Sequence, residues 1–174
     1  MRTIEVVESD PTWPVHFATE RERLSRMLGA VVVSIHHIGS TAVPGLAAKP
    51  VIDVLMEVTD LASLDACRGA MILGGYTPRG ENGIPGRRYF HKGVPVRTHH
   101  VHAFAVGDEA LARHLAFRDY LRTHAEIARE YGELKQALAR TWAQDPARYV
   151  EGKDALVKRI AAQAMAAWRP QSPA

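Results

Sequence analysis

Gly39-Ser40-Thr41, Lys49 and Asp53 fall close together in the chain and have the layout of a phosphate-and-metal site. Glycine lets backbone N–H groups approach an anion closely, and the Ser40 and Thr41 hydroxyls add donors. Lys49, at the end of a Pro/Gly-rich loop, supplies positive charge. Asp53 interrupts Val51-Ile52-Asp53-Val54-Leu55, an apolar run that otherwise reads as a buried strand. An ionised carboxylate there needs a cation or hydrogen-bond donors to offset its desolvation, so Asp53 is either a metal ligand or a paired structural charge.

His100-Val101-His102 adds a second feature. Side chains two apart on a strand share a face and lie roughly 6.5 to 7 Å apart, a spacing that suits two ligands of one ion. With Asp53 the set becomes two imidazoles and one carboxylate, a donor set for a divalent metal that favours zinc, manganese or iron over magnesium. The competing use of the same histidines is hydrogen bonding on a half-buried sheet face. Glu57 shares a strand face with Asp53 but stands roughly 13 Å further along, where it is expected to end the strand at solvent.

Arg87-Arg88-Tyr89-Phe90 places two guanidiniums beside two aromatics, a composition able to hold phosphates and stack on a base. Strand alternation turns only one of the two arginines toward any given ligand. Arg118, Arg122, Lys135 and Lys153 fall in helical sequence, where solvation is the usual fate of a basic side chain. The adjacent His36 and His37 alternate too, so one is expected inward with a structural role.

Several classes are excluded or unsupported. Neither Gly-x-x-x-x-Gly-Lys-Ser/Thr nor Gly-x-Gly-x-x-Gly occurs, and Ser40 lacks the Gly-x-Ser-x-Gly elbow of a serine hydrolase. Cys67 is the single cysteine, so no internal disulfide and no cysteine-rich metal cluster can form. The charge of +3 comes from 22 Lys and Arg scattered among 19 acids, which does not call for nucleic acid. No apolar run approaches the ~20 residues of a membrane span, and the acidic start is unlike a signal peptide, so a cytoplasmic protein is expected.

The elements that must position these residues follow from periodicity and breakers. Residues 4–7 read as a short strand, and Asp10-Pro11-Thr12-Trp13-Pro14 opens a helix that Gly29 stops after Leu28. Residues 31–35 and 51–58 read as the two strands carrying the site, and Asp60 caps one helix from Leu61 to Leu73. Strands are expected over 87–91 and 97–106, separated from that helix by a loop-rich stretch. From Asp108 the pattern is helical, with a cap signal at Asp145-Pro146 and an apolar stripe of Leu156, Val157, Ile160, Ala161, Ala164, Met165 and Trp168 that reads as core or as a dimer seam. Trp13, Trp142 and Trp168 read as core anchors, and the tail from Arg169 to Ala174 as frayed. One α/β (α+β) domain over 1–174 is expected, sheet-containing to about 107 and helical over about 108–168.

The Gly39-Ser40 turn and Asp53 strand, with Gly83-Ile-Pro-Gly-Arg-Arg-Tyr-Phe90, His100-Val-His102, Phe117-Arg-Asp-Tyr-Leu-Arg122, Tyr131 with Lys135 and Tyr149 with Lys153, resemble the GrpB-like proteins of the nucleotidyltransferase superfamily. That resemblance implies a mixed sheet with a C-terminal helical block, a nucleoside triphosphate as ligand, and metal-dependent nucleotidyl transfer to an acceptor. In such a mechanism Gly39, Ser40 and Thr41 would hold phosphates, Asp53 would ligate a divalent cation, and Lys49, Arg87 and Arg88 would neutralise charge. The superfamily pattern is Asp-x-Asp or Asp-x-Glu, and here Leu55 stands in the second position. A degenerate, non-catalytic binding or accessory module, linked by resemblance to dephospho-coenzyme A kinases, is therefore the first alternative. A metal-dependent phosphohydrolase using His100, His102 and Asp53 is the second.

Overall fold

The structure is a computed structural model and describes residues 3–169. Helix α1, Trp13–Leu28, begins with Pro14 in its first turn and ends at Gly29, whose positive φ of 54° breaks the helical path. A 3-10 turn leads into β1, Val32–Ile38, which runs further than periodicity indicates. A second 3-10 turn, Ser40–Ala42, opens the loop to β2, Ile52–Val58. Helices α2, Leu61–Ala66, and α3, Arg68–Leu73, replace the single helix expected. The break falls at Cys67, whose ψ of 5° and bond to Leu64 tighten the chain into a turn. Strand β3, Tyr76–Pro78, emerges from the stretch expected to be loop.

Strands β4, Arg88–Lys92, and β5, His99–Ala105, complete a five-stranded sheet of order β1-β2-β5-β4-β3. It is mixed, with β2 and β5 parallel and the other neighbours antiparallel. Helices α4, Glu109–Thr123, α5, Ala125–Thr141, and α6, Pro146–Ala167, form the C-terminal block. Asp108 and Asp145 cap α4 and α6 by accepting from Ala110 and Arg148 amides. The strand expected over 4–7 reduces to one bridge, Val7 with Ala48, because this segment lies against a loop and has no strand beside it to extend a ladder.

Alternation along β2 sorts the two faces. Val54, Met56 and Val58, all fully buried, pack with Val101, Ala103, Trp13, Leu24 and Met71 beneath α1 to α3. Leu55 faces the other way and meets Ile38, Phe104 and Leu111 under α4. Asp53 shares this second face, in register with His100. Of the two adjacent histidines, His37 is the inward one, stacked on Phe17 with ring centroids 4.7 Å apart. Burial lowers its pKa to about 4, so it is neutral and structural.

The α6 stripe is core only in part. Ile160 and Ala164 are buried, while Met165 is 40% exposed, because α4 and α5 cover a narrower arc than the stripe spans. Trp13 is a buried anchor, whereas Trp142 and Trp168 are half-buried. The frayed tail expected beyond Arg169 lies outside the described residues. Among the described residues, no helix is long and apolar enough to cross a membrane.

Candidate functional site

Asp53 sits at the start of β2 with 28% of its side chain open to a cleft. His100 Nδ1 lies 3.0 Å from its Oδ1, and His102 Nε2 lies 3.8 Å from the same oxygen. Burial alone would raise the carboxyl, but the bonds from His100 and His102 outweigh it and hold Asp53 below the usual carboxylate range. An ionised carboxylate only accepts, so His100 Nδ1 is the donor of that pair. The Arg87 guanidinium lies 3.2 Å from His102 Nδ1 and has no lone pair to offer, so Nδ1 accepts and the proton of a neutral His102 sits on Nε2, toward Asp53.

That arrangement bears on the metal expectation. His100 turns an N–H toward the carboxylate, and its Nε2 is buried without a partner among the described residues. Leu55, fully buried, occupies the second carboxylate position. Among the described residues no group of three or more His, Cys, Asp and Glu is assembled to hold a metal ion. The residues expected as ligands are therefore brought together but do not fit a protein-held divalent centre. Glu57, expected at solvent, instead accepts from Ser34 at 2.8 Å.

Gly39 is required by position. Its φ is 71°, and a Cβ there would stand 2.5 Å from Asp53 Oδ2. The turn thus lies directly on the carboxylate. Ser40 projects into the cleft and accepts from Lys135 Nζ at 2.7 Å. Thr41, expected as a phosphate donor, is buried with its hydroxyl 2.9 Å from His37 Nε2, so it locks the turn to β1.

Lys49 lines the cleft with its ammonium 5.2 Å from the Tyr149 ring centre, and Lys153 approaches the same ring to 5.4 Å. Lys135 from α5 also donates to the Ala47 carbonyl at 2.5 Å and stacks over Tyr131 at 4.5 Å. Burial, with Lys153 and Lys49 nearby, lowers Lys135 to about 7. Lys153 is lowered too, again chiefly by burial. These helical lysines, which helical context consigned to solvent, are the cleft's main positive charge. A signal for them exists, since Tyr131 and Lys135, and again Tyr149 and Lys153, are four apart and so share a helix face.

The two arginines expected at the ligand do other work. Arg87 is buried, donates to the Glu81 and Asn82 carbonyls and backs His102, which makes it a positioning residue. Arg88 points to the opposite face, where Asp65 takes both of its donors at 2.7 and 2.8 Å, so it is corrected to a surface ion pair. Arg118 and Arg122 of α4 donate to the His37 and Ala42 carbonyls and pin the turn from behind. The resulting cleft, about 210 Å³, combines three lysines, the Ser40 hydroxyl and one hydrogen-bonded carboxylate. Such a set has the donors and positive charge that hold an oxyanion group.

Comparison with known proteins places this geometry. The chain is 47% identical over 157 residues to the UPF0157 protein YqkA of Bacillus subtilis (strain 168), spanning 90% of this chain and 46% of that protein's length. It superposes on the crystal structure of the conserved protein GrpB from Enterococcus faecalis with a TM-score of 0.90 at 40% identity, covering 93% of this chain and 98% of that one. A weaker likeness, TM-score 0.52 at 13% identity, covers 79% of this chain and 44% of the Cid1 poly(U) polymerase, and shows a shared nucleotidyltransferase-like fold alone. The family described as GrpB protein matches residues 3–163, and the chain belongs to that family.

Proposed function

We propose that this protein binds a nucleotide-class polyphosphate in the cleft between the Gly39–Asp53 unit and helices α5 and α6, as a binding module on a nucleotidyltransferase-like fold. The observation that carries this reading is the convergence of Lys49, Lys135 and Lys153 on one cleft beside Ser40. Opposite-sign ligand charge offsets the mutual repulsion of the three lysines and favours the protonated form of Lys135. Each charged hydrogen bond formed contributes on the order of 1.5–3 kcal/mol.

Nucleotidyl transfer and metal-dependent hydrolysis both need an ion, and among the described residues no group of three or more His, Cys, Asp and Glu is assembled to hold one. Among the described residues Asp53 is the one carboxylate lining the cleft, and its Oδ1 lies 3.0 Å from His100 Nδ1 and 3.8 Å from His102 Nε2. His100 supplies a hydrogen-bond donor to the carboxylate, with the His102 ring beside it. As a module, the protein would present its ligand to a partner enzyme or to a domain outside this chain.

Calorimetric titration with ATP in excess chelator tests the reading. Binding is expected without metal, weakened about tenfold or more in Lys135→Ala and in Lys153→Ala. Asp53→Asn is expected to keep or tighten binding, since it removes a negative charge facing phosphate. Binding that requires Mn²⁺ and vanishes in Asp53→Asn would establish a metal site instead and restore the transferase reading.

A further inference from the structure

A second cavity opens beyond the lysine cleft, and Lys49, Val51 and Tyr149 line both. The two differ in size and character. The lysine cleft measures about 210 Å³, below the ~300–1,000 Å³ typical of small-molecule sites, whereas the neighbour measures about 610 Å³, within that range. Its walls are largely apolar, with Ile4, Pro95, Val96 and Val150 prominent, and Glu5 and Arg97 add polar edges. A mostly apolar cavity with a few polar groups suits a flat ring bearing hydrogen-bonding edges.

Three segments distant in sequence build it: the N-terminal stretch, the loop before β5 and the first turn of α6. Each is anchored at a backbone bond. Ile4 N donates to the Ala143 carbonyl at 2.8 Å, Thr98 N to Lys92 at 2.8 Å, and Tyr149 N to Asp145 at 3.1 Å. The cavity is thus held by the fold and shares Lys49, Val51 and Tyr149 as lining with the lysine cleft.

We infer that this cavity receives the ring-bearing, nucleoside end of the ligand whose phosphates lie among Lys49, Lys135 and Lys153. The inference rests on the polyphosphate reading above and extends it: the site is bipartite, charge being read in one cleft and the ring in the other. Tyr149 stands at the junction, with Lys49 and Lys153 both over its ring.

Calorimetry of the full chain with inorganic tripolyphosphate and with each of the four common ribonucleoside triphosphates tests it, beside Val150→Trp and Val96→Trp. Both residues are exposed, 56% and 71%, so a larger side chain narrows the cavity without entering the core, and thermal melts check that each variant stays folded. At least one nucleotide is expected to bind about tenfold or more tightly than tripolyphosphate to the unaltered protein. The tryptophan variants are expected to remove that advantage while changing tripolyphosphate affinity by less than about twofold. Nucleotides no tighter than tripolyphosphate, or a nucleotide preference untouched by both variants, would overturn the bipartite site and leave the anion cleft standing. Failure of every anion to bind would overturn the polyphosphate reading, and this inference with it.

Discussion

At the scale of single residues, the site is a balance between one carboxylate and three amines. Asp53 is satisfied by imidazoles, while Lys135 is not satisfied by any carboxylate within bonding distance and its pKa falls from 10.5 to about 7 through burial. Between those two values the unfolded chain carries a proton that the folded chain has shed. Stability therefore rises with pH from about 7 to about 10.5, and Lys153, lowered in the same direction, adds to the trend. Below about 7 Lys135 is charged in both states and its burial is fully unfavourable. Denaturant melts at neutral and alkaline pH are expected to show this rise in the unaltered protein and a shallower one in Lys135→Met. Phosphate beside Lys135 favours the ammonium, so anion binding should take up a proton and weaken as pH climbs above 7, measurable by calorimetry in buffers of different ionisation enthalpy. Equal slopes in both proteins would show that Lys135 does not titrate in this range. Sequence spacing brought Gly39, Ser40, Lys49 and Asp53 forward, and the structure gathers them along one cleft because they flank a single turn and the strand that follows it. Spacing misassigned Arg88, since strand alternation says that one arginine faces the ligand without saying which.

At the scale of elements, the anion turn is held by a helix that contributes nothing to the cleft's charge. Arg118 donates to the His37 carbonyl at 3.1 Å and pairs with Asp119 at 2.7 Å, tying α4 to the end of β1. Arg118→Ala is expected to remove a charge-assisted bond of about 1.5–3 kcal/mol. At roughly 2–4 °C per kcal/mol for a chain of this size, the melting temperature should fall by roughly 3–12 °C. Anion affinity should fall as well, although Arg118 does not line the cleft, because Gly39 and Ser40 follow the strand end it secures. A stable variant with unaltered binding would show that the turn holds its own shape. Helix α1, β2, β5 and the caps Asp60, Asp108 and Asp145 could be read from periodicity and capping chemistry alone. Strand β3 and the break at Cys67 could not, since three residues carry too little pattern and the turn at Cys67 has no glycine or proline at its centre.

At the scale of the whole molecule, the buried Glu20 network and the candidate cleft lie on opposite faces of the sheet. Below α1, Glu20 is 5% exposed and accepts from Lys92 at 2.7 and 2.8 Å and from the Tyr76 hydroxyl. Burial alone would raise Glu20, yet the bonds from Lys92 and Tyr76 outweigh it and lower its pKa from 4.5. Its contribution is then complete above about 4.5 and is lost as pH falls through the acid range. Glu20→Ala would leave Lys92 without its partner carboxylate, a change expected to cost about 3–5 kcal/mol. The melting temperature should drop by roughly 6–20 °C while tripolyphosphate affinity stays within about twofold. A matching loss of affinity would mean that the two faces are coupled through β5, which carries both His99 and His100.

The sequence by itself determined the mixed α/β class, the family and the Gly39–Asp53 unit, because these depend on local periodicity, on turn chemistry and on contiguous spacing. Only the tertiary structure decided how that unit is completed. Lys135 and Lys153 lie far along the chain from Ser40, and their spacing from Tyr131 and Tyr149 gives a shared helix face without saying that this face meets the cleft. The same holds for His100 and His102, whose spacing serves a metal or a carboxylate equally well. Only the fold shows that Arg87, held by the Glu81 and Asn82 carbonyls, stands against His102 Nδ1 and that His100 meets Asp53.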